Sequence, residues 1–180
     1  MKVFLNPGHA PNGQPDPGAV NYDLGLQEAI IAKQIADLTA KYLTAAGVEI
    51  VGNLQSDSLA EITTTANASG ADIFVSIHCN SFSNPAAQGT EVCVFPGSYA
   101  GKLLGECIQR QIVDSMGTVD RGLKNRDGLY VLKHTDMPAV LVETAFISNG
   151  EDAEKLRDNA DDFARAIARG VTDYEVDFVD

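Results

Sequence analysis

A chain of 180 residues with 44% hydrophobic content is long enough for one domain with a real core. Its formal net charge of -12 excludes a binder of nucleic acid or of an anionic membrane surface, since both reward clustered lysine and arginine. No segment approaches the roughly 20 consecutive apolar residues that cross a bilayer.

Met1 leads directly into Lys2–Asn6, an apolar run that reads as a buried strand and runs into His9. No basic start, apolar stretch and small-residue cleavage site is visible, so no secretory signal is expected and export would need another route. Pro7 to Gly25 is a loop rich in Pro, Gly, Asn and Asp, and loops of that length inside compact domains are usually functional. A helix is expected from about Leu26 to Ala46, with Ile30, Ile31, Ile35, Leu38, Tyr42 and Leu43 at helical spacing and Gly47 as its stop. Val48–Val51 is the next strand. Ser58 and Glu61 have the spacing of a capping box, opening a helix that ends near Gly70.

The run Ala71–Ile77 is a strand leading to His78, Thr90–Phe95 another, and Tyr99–Met116 a helix with Leu103, Leu104, Ile108 and Ile112 on one face. Gly128–Leu132 is expected as a short strand, Ala139–Val142 as a buried strand ending in Glu143, and about Glu151–Gly170 as the last helix. The alternation predicts a single α/β domain, a twisted, mostly parallel sheet of about six strands with helices on both faces. That domain is assigned to residues 1–172 and an acidic tail to 173–180; about half of the excess negative charge lies on the last helix and tail, as a solvated face. Cys79, Cys93 and Cys107 have neither the close pairing of a thiolate metal site nor the density of a disulfide scaffold, and are expected reduced or buried.

Three apolar runs thus end at His9, His78 and Glu143. If they lie parallel, their carboxyl ends share one edge, where open α/β sheets place their ligand sites. His9 and Glu28 would be roughly 30 Å apart on one continuous helix, so the loop between them must fold back. His9, Glu28 and His78 then form a set of two imidazoles and one carboxylate, the composition of catalytic zinc sites that keep a fourth position open. A carboxylate at the end of a buried strand is expensive without a task. For Glu143 that task is general base, taking a proton from the attacking water and returning it to a leaving amine. His134 stands apart from the set, in a surface or hydrogen-bonding role, and Cys79 points by strand alternation to the opposite face from His78.

The chain resembles the zinc-dependent N-acetylmuramoyl-L-alanine amidases of the Amidase_3 family, cell-wall hydrolases of bacteria and their phages. The resemblance is carried by Asn6-Pro-Gly-His9, Asp16-Pro-Gly-Ala19, Gly25-Leu-Gln-Glu28, Ala71-Asp-Ile-Phe-Val-Ser-Ile-His78-Cys-Asn80, Gly89-Thr-Glu91, Leu129-Tyr-Val-Leu132, Leu141-Val-Glu143 and Phe146-Ile-Ser-Asn149. It implies Zn2+ as cofactor with His9, Glu28 and His78 as ligands and Glu143 as the catalytic glutamate. The implied substrate is peptidoglycan, cleaved between N-acetylmuramic acid and the L-alanine of the stem peptide. It further implies action at the bacterial cell wall, as an excised module, a phage endolysin or a protein exported without a signal. A monomer, attached to or working with a separate wall-binding module, is expected.

Two departures stand out. The family commonly carries an arginine after the second strand, where this chain has Gly52-Asn-Leu-Gln-Ser-Asp57. The segment Arg121-Gly-Leu-Lys-Asn-Arg-Asp127 keeps the family's glycine-and-basic character and either touches the stem peptide or is a solvated loop. The competing readings are a zinc peptidase acting on other peptides and an inactive peptidoglycan-binding module.

Overall fold

The computed structural model describes residues 1–178. In chain order the elements are β1 (Lys2–Pro7), a short hairpin of β2 (Val20–Asn21) and β3 (Leu26–Gln27), α1 (Glu28–Ala45), β4 (Glu49–Asn53), α2 (Leu59–Ala68) and β5 (Ile73–Asn80). There follow β6 (Thr90–Val94), α3 (Tyr99–Met116), β7 (Asp120–Asn125), α4 (Tyr130–Lys133), β8 (Ala139–Phe146), α5 (Gly150–Asp158) and α6 (Ala160–Phe178). The main sheet has six strands in the order β4-β1-β5-β8-β6-β7. All neighbours are parallel except β6, which runs against β8.

Strand alternation divides the core into two unequal layers. Val3, Leu5, Val75, Ile77, Val140 and Val142 face α1, α3 and α6, whose Ile35, Ile108, Phe163 and Ile167 complete the larger layer. Each such fully buried side chain contributes about 1.5–3 kcal/mol of transfer free energy. Phe4, Phe74, Cys93 and Leu141 point the other way, against Ile62 of α2 and Val131 of α4. The second layer is thin because α2 and α4 are short, and it leaves open the face of the sheet beyond the ends of β1, β5 and β8.

The α/β class, the six-stranded, mostly parallel sheet and the helices on both faces agree with expectation. Four local expectations are corrected. The segment Gly128–Leu132 is not a strand: Tyr130–Lys133 is a helical turn, closed by bonds from the Leu132 and Lys133 amides to the Leu129 carbonyl at 3.1 Å. A four-residue apolar run cannot distinguish the two, and packing of Val131 and Leu132 into the thin layer decides. Conversely, most of Arg121–Asp127 is edge strand β7 rather than loop. The expected last helix is two, broken at Asn159, with the Asn149 side chain capping α5 by accepting from the Asp152 amide. Finally, 173–178 belongs to α6 rather than to a tail, because Tyr174 is buried and Glu175 accepts from the Met1 amino group at 2.8 Å. Residues 179 and 180 of the expected tail lie outside the described residues.

Candidate metal centre

His9 follows β1 after one glycine and takes a left-handed backbone, φ 65°, uncommon for a side chain-bearing residue and frequent at functional sites. Glu28 is the first residue of α1, where a carboxylate is favoured by the helix dipole, and only 5% of it is exposed. His78 stands near the end of β5. The loop between His9 and Glu28 folds back, with the Glu28 amide bonded to the Ala19 carbonyl at 2.9 Å.

The Glu28 carboxylate is the centre of the cluster. Oε1 accepts from His78 Nδ1 at 2.8 Å and from the Cys79 amide at 3.1 Å. Oε2 lies 2.9 Å from His9 Nε2 and accepts from the Ala19 amide at 2.9 Å. The two imidazole rings meet edge-on at 5.1 Å between centroids. One ligand atom from each of His9, Glu28 and His78 lies within 4.8 Å of the others, and among the described residues this is the group of histidine, cysteine and acidic side chains that could hold a metal ion.

Two glycines make room for it. A Cβ on Gly8 would lie 2.3–2.6 Å from three atoms of the His78 ring, and one on Gly18 would lie 2.6 Å from Glu28 Oε2 and 2.7 Å from His9 Nε2. Two nitrogens and a carboxylate oxygen are the donor types of a three-ligand zinc site. The residues present therefore fit zinc.

Electrostatics follow from the same contacts. Burial alone would raise the Glu28 carboxyl, but the hydrogen bonds from His78 and His9 outweigh it and hold the group well below the usual carboxylate range. Burial pushes the His9 imidazole down, yet the Glu28 and Asp16 carboxylates overcome this and raise it to about 9. Asp16 receives a bond from His9 Nδ1 at 2.8 Å and another from the Gly18 amide at 3.0 Å. It thus fixes which His9 nitrogen faces the cluster, the arrangement common behind metal-binding histidines.

Glu143 sits in β8 directly beside His78 in register, with Glu91 of β6 on its other side. Its Oε2 is buried and has no hydrogen-bond partner among the described residues. Burial, reinforced by the Glu28 and Glu91 carboxylates against the two histidines, pushes its carboxyl up to about 7. Glu91 is itself buried and answered by Arg121, whose Nε donates to it at 2.8 Å.

The cluster opens into a cleft of about 280 Å³, walled by Ser56, Asp57 and Leu59 before and within α2 and by Leu129 and Tyr130 at α4. The structure therefore brings His9, Glu28, His78 and Glu143 to one sheet edge. His134 lies elsewhere, at the end of α4, with its ring against Tyr130 at 4.2 Å. Cys79, Cys93 and Cys107 are free and buried, and Cys79 packs in the large layer opposite the cluster.

Sequence reasoning gave no role to three residues that shape the site. Asp16 carried a signal, an acid in a loop of functional length close after His9. Gln55, in the segment where the family arginine is missing, is buried and donates to the Gly8 carbonyl at 2.9 Å and the Ala29 carbonyl at 2.8 Å, tying together the supports of His9 and Glu28. Glu91 was quoted only as part of a motif.

A sheet edge with this donor set and a separate buried glutamate has the composition that a metal-assisted hydrolase on an open α/β fold would need. Comparison with known proteins narrows the class: the chain belongs to the family described as N-acetylmuramoyl-L-alanine amidase, whose profile matches residues 3–173. It is 37% identical over 180 residues to the N-acetylmuramoyl-L-alanine amidase LytC of Bacillus subtilis, covering 96% of this chain and 35% of that protein. The sporulation-specific N-acetylmuramoyl-L-alanine amidase of the same organism is 36% identical, and the match covers 94% of this chain and 65% of the relative. The chain thus spans about a third and about two thirds of the lengths of these two relatives. Among solved structures, the N-acetylmuramoyl-L-alanine amidase of Clostridium difficile 630 superposes with a TM-score of 0.89 at 29% identity, covering 98% of this chain and 97% of that one. AmiC2 of Nostoc punctiforme gives 0.86 at 32% identity, with 97% and 96% covered.

Proposed function

We propose that this chain hydrolyses the amide between N-acetylmuramic acid and L-alanine in peptidoglycan, at the bacterial cell wall, with Zn2+ held by His9, Glu28 and His78. The observation that carries this reading is the convergence of those three ligand atoms within 4.8 Å of one another, in a strand register that sets Glu143 beside His78. Zinc supplies Lewis acidity there, towards a carbonyl oxygen and towards water. Glu28 anchors the set, its negative charge favouring a cation between two neutral imidazoles. Asp16 holds His9 with Nε2 turned inward. Glu143 takes a proton from the attacking water and delivers it to the nitrogen of the departing L-alanine, a double role suited to a carboxyl whose proton affinity is near neutral. The longer relatives support a division of labour in which a separate wall-binding module brings this catalytic domain to its substrate.

Metal analysis and digestion of purified muropeptides by the unmodified chain and by Glu143→Ala test the reading. The expected result is one zinc per chain in both, release of L-alanine-headed peptides by the first, and a loss of turnover of at least about 100-fold in the second. Cleavage of free peptides but not of muropeptides would replace the amidase reading with a peptidase, and full activity in Glu143→Ala would remove that residue from the mechanism.

A further inference from the structure

The row of residues that crosses the sheet at the site does not stop at Glu143. His78, Glu143 and Glu91 are successive partners on β5, β8 and β6, and Glu91 meets the irregular start of β7 at Arg121. Neighbouring strands are about 4.8 Å apart, so β7 lies about 10 Å from Glu143 along this row. Arg121 is fixed there by Glu91 at 2.8 Å and by the Phe146 ring, 4.8 Å beneath its guanidinium.

Two further cations reach back to the same place. Lys124 Nζ donates to the Arg121 carbonyl at 2.7 Å, and Arg126 comes within 3.9 Å of Glu91 Oε1. Two guanidinium heads, Arg121 and Arg126, therefore face one buried carboxylate, and the Lys124 ammonium is held against the Arg121 backbone beside them. The nearby Asp120 does not neutralise them, since it pairs in register with Thr90 on the other face of β6 and accepts from Gln109 of α3. The cleft beside the proposed metal ligands has an acidic wall, with Asp16 and Asp57 in it. In a chain of net charge -12, this makes the reactive edge a dipole, negative beside the metal ligands and positive beyond Glu143.

We infer that Arg121, Lys124 and Arg126 form a subsite for a free carboxylate of the stem peptide, and so set which end of the substrate lies over β7. The inference rests on the amidase reading and deepens it. On the two sides of the scissile amide only the peptide carries carboxylates; the muramoyl sugar, with its lactyl group engaged in the amide, is uncharged. Two extended residues span about 7 Å, and an arginine side chain covers the remaining distance to β7. The second residue of the stem is the one within reach. Arg121 is committed to Glu91 and shapes the shelf, whereas Lys124 and Arg126 meet the ligand.

The test uses two muropeptides that differ in one group, a carboxylate or a carboxamide on the second stem residue, and the zinc-loaded protein with and without the paired change Lys124→Gln and Arg126→Gln. The expected kcat/KM ratio between them is about fivefold in favour of the carboxylate for the unmodified protein, and about one for the double variant, as two exposed ion pairs would give. Raising the salt concentration should shrink the first ratio and leave the second alone. Calorimetric binding to Glu143→Ala reads the same ratio without turnover. Absence of cleavage therefore counts against the amidase reading, while equal affinities, or a preference that survives the double substitution, would overturn the carboxylate subsite.

Discussion

Replacing Gly8 with alanine should disable the proposed metal centre while leaving the sheet intact. The new Cβ would lie 2.3 Å from His78 Cε1, 2.5 Å from Nδ1 and 2.6 Å from Nε2, so three atoms of one ring are struck together. Ordinary contact begins near 3.4 Å. The ring must therefore retreat by about 1 Å, whereas metal–ligand distances tolerate about 0.2 Å. His78 Nδ1 is also hydrogen-bonded to Glu28 Oε1 at 2.8 Å, so the displacement propagates to the anchoring carboxylate. Zinc affinity should fall by at least about 100-fold, the upper end of what a lost supporting contact costs. The stability of the metal-free protein should fall by only about 1–3 kcal/mol, as for other overpacked sites. Competition with a chromogenic chelator reads the first quantity and thermal unfolding in EDTA the second, with far-ultraviolet circular dichroism as a check on the fold. A well-folded Gly8→Ala protein binding zinc within threefold of the unmodified one would refute the reasoning, because His78 would then be free to move or not a ligand.

Asp16→Asn keeps the size of the side chain but removes the negative charge behind His9, and should lower zinc affinity by about 10- to 100-fold with no change in fold, measured by the same competition. His9 is raised to about 9 in the ligand set alone, while the metal needs a neutral ring. Zinc uptake at about pH 7 should therefore release the His9 proton together with part of one from Glu143, whose carboxyl lies at about 7, falling towards none above about pH 10, and affinity should climb with pH until His9 is neutral. Calorimetry in buffers of different ionisation enthalpy measures this, and identical heats at pH 7 would contradict it. Gly170→Ala would bring a Cβ to 2.5 Å from Ile108 Cα and force α6 away from α3. The expected cost is about 2 kcal/mol, a fall in Tm of about 4–8 °C, with zinc affinity unchanged.

The convergence at the sheet edge was legible because each of its strand-borne residues ends an apolar run, and because parallel strands in one sheet must deliver their ends to one side. The helix Tyr99–Met116 was read to the residue, since Ser98 caps it and Gly117 closes it in the left-handed conformation. What was hidden depended on partners distant in sequence. β7 has Gly122 and two cations, Arg121 and Lys124, among its residues, no pattern of a buried strand, and becomes one by pairing with β6 at the sheet's rim. α4 and the expected strand at Gly128–Leu132 share Tyr130, Val131 and Leu132, and only the thin layer above Leu141 selects the helical turn. Gln55 resembles any polar loop residue until the Gly8 and Ala29 carbonyls close around it. The reversal of β6 leaves no mark in composition at all.

That reversal has an architectural consequence. Because β6 runs against β8, it enters the sheet at the reactive edge, and residues 81–89 pass from β5 to β6 without leaving that edge. The connection lies across the outlet of β8, pinned where the Phe82 amide donates to Ser148 Oγ at 3.0 Å and Asn149 Nδ2 donates to the Pro85 carbonyl at 2.7 Å. A parallel strand in this place would have needed a return helix threaded over the core. Here an inserted segment changes no crossover, and each doubling of the bridge costs only about 0.6 kcal/mol of closure entropy. This is the position where a cap, a brake or a docking arm can be added beside the chemistry while the scaffold beneath stays as it is.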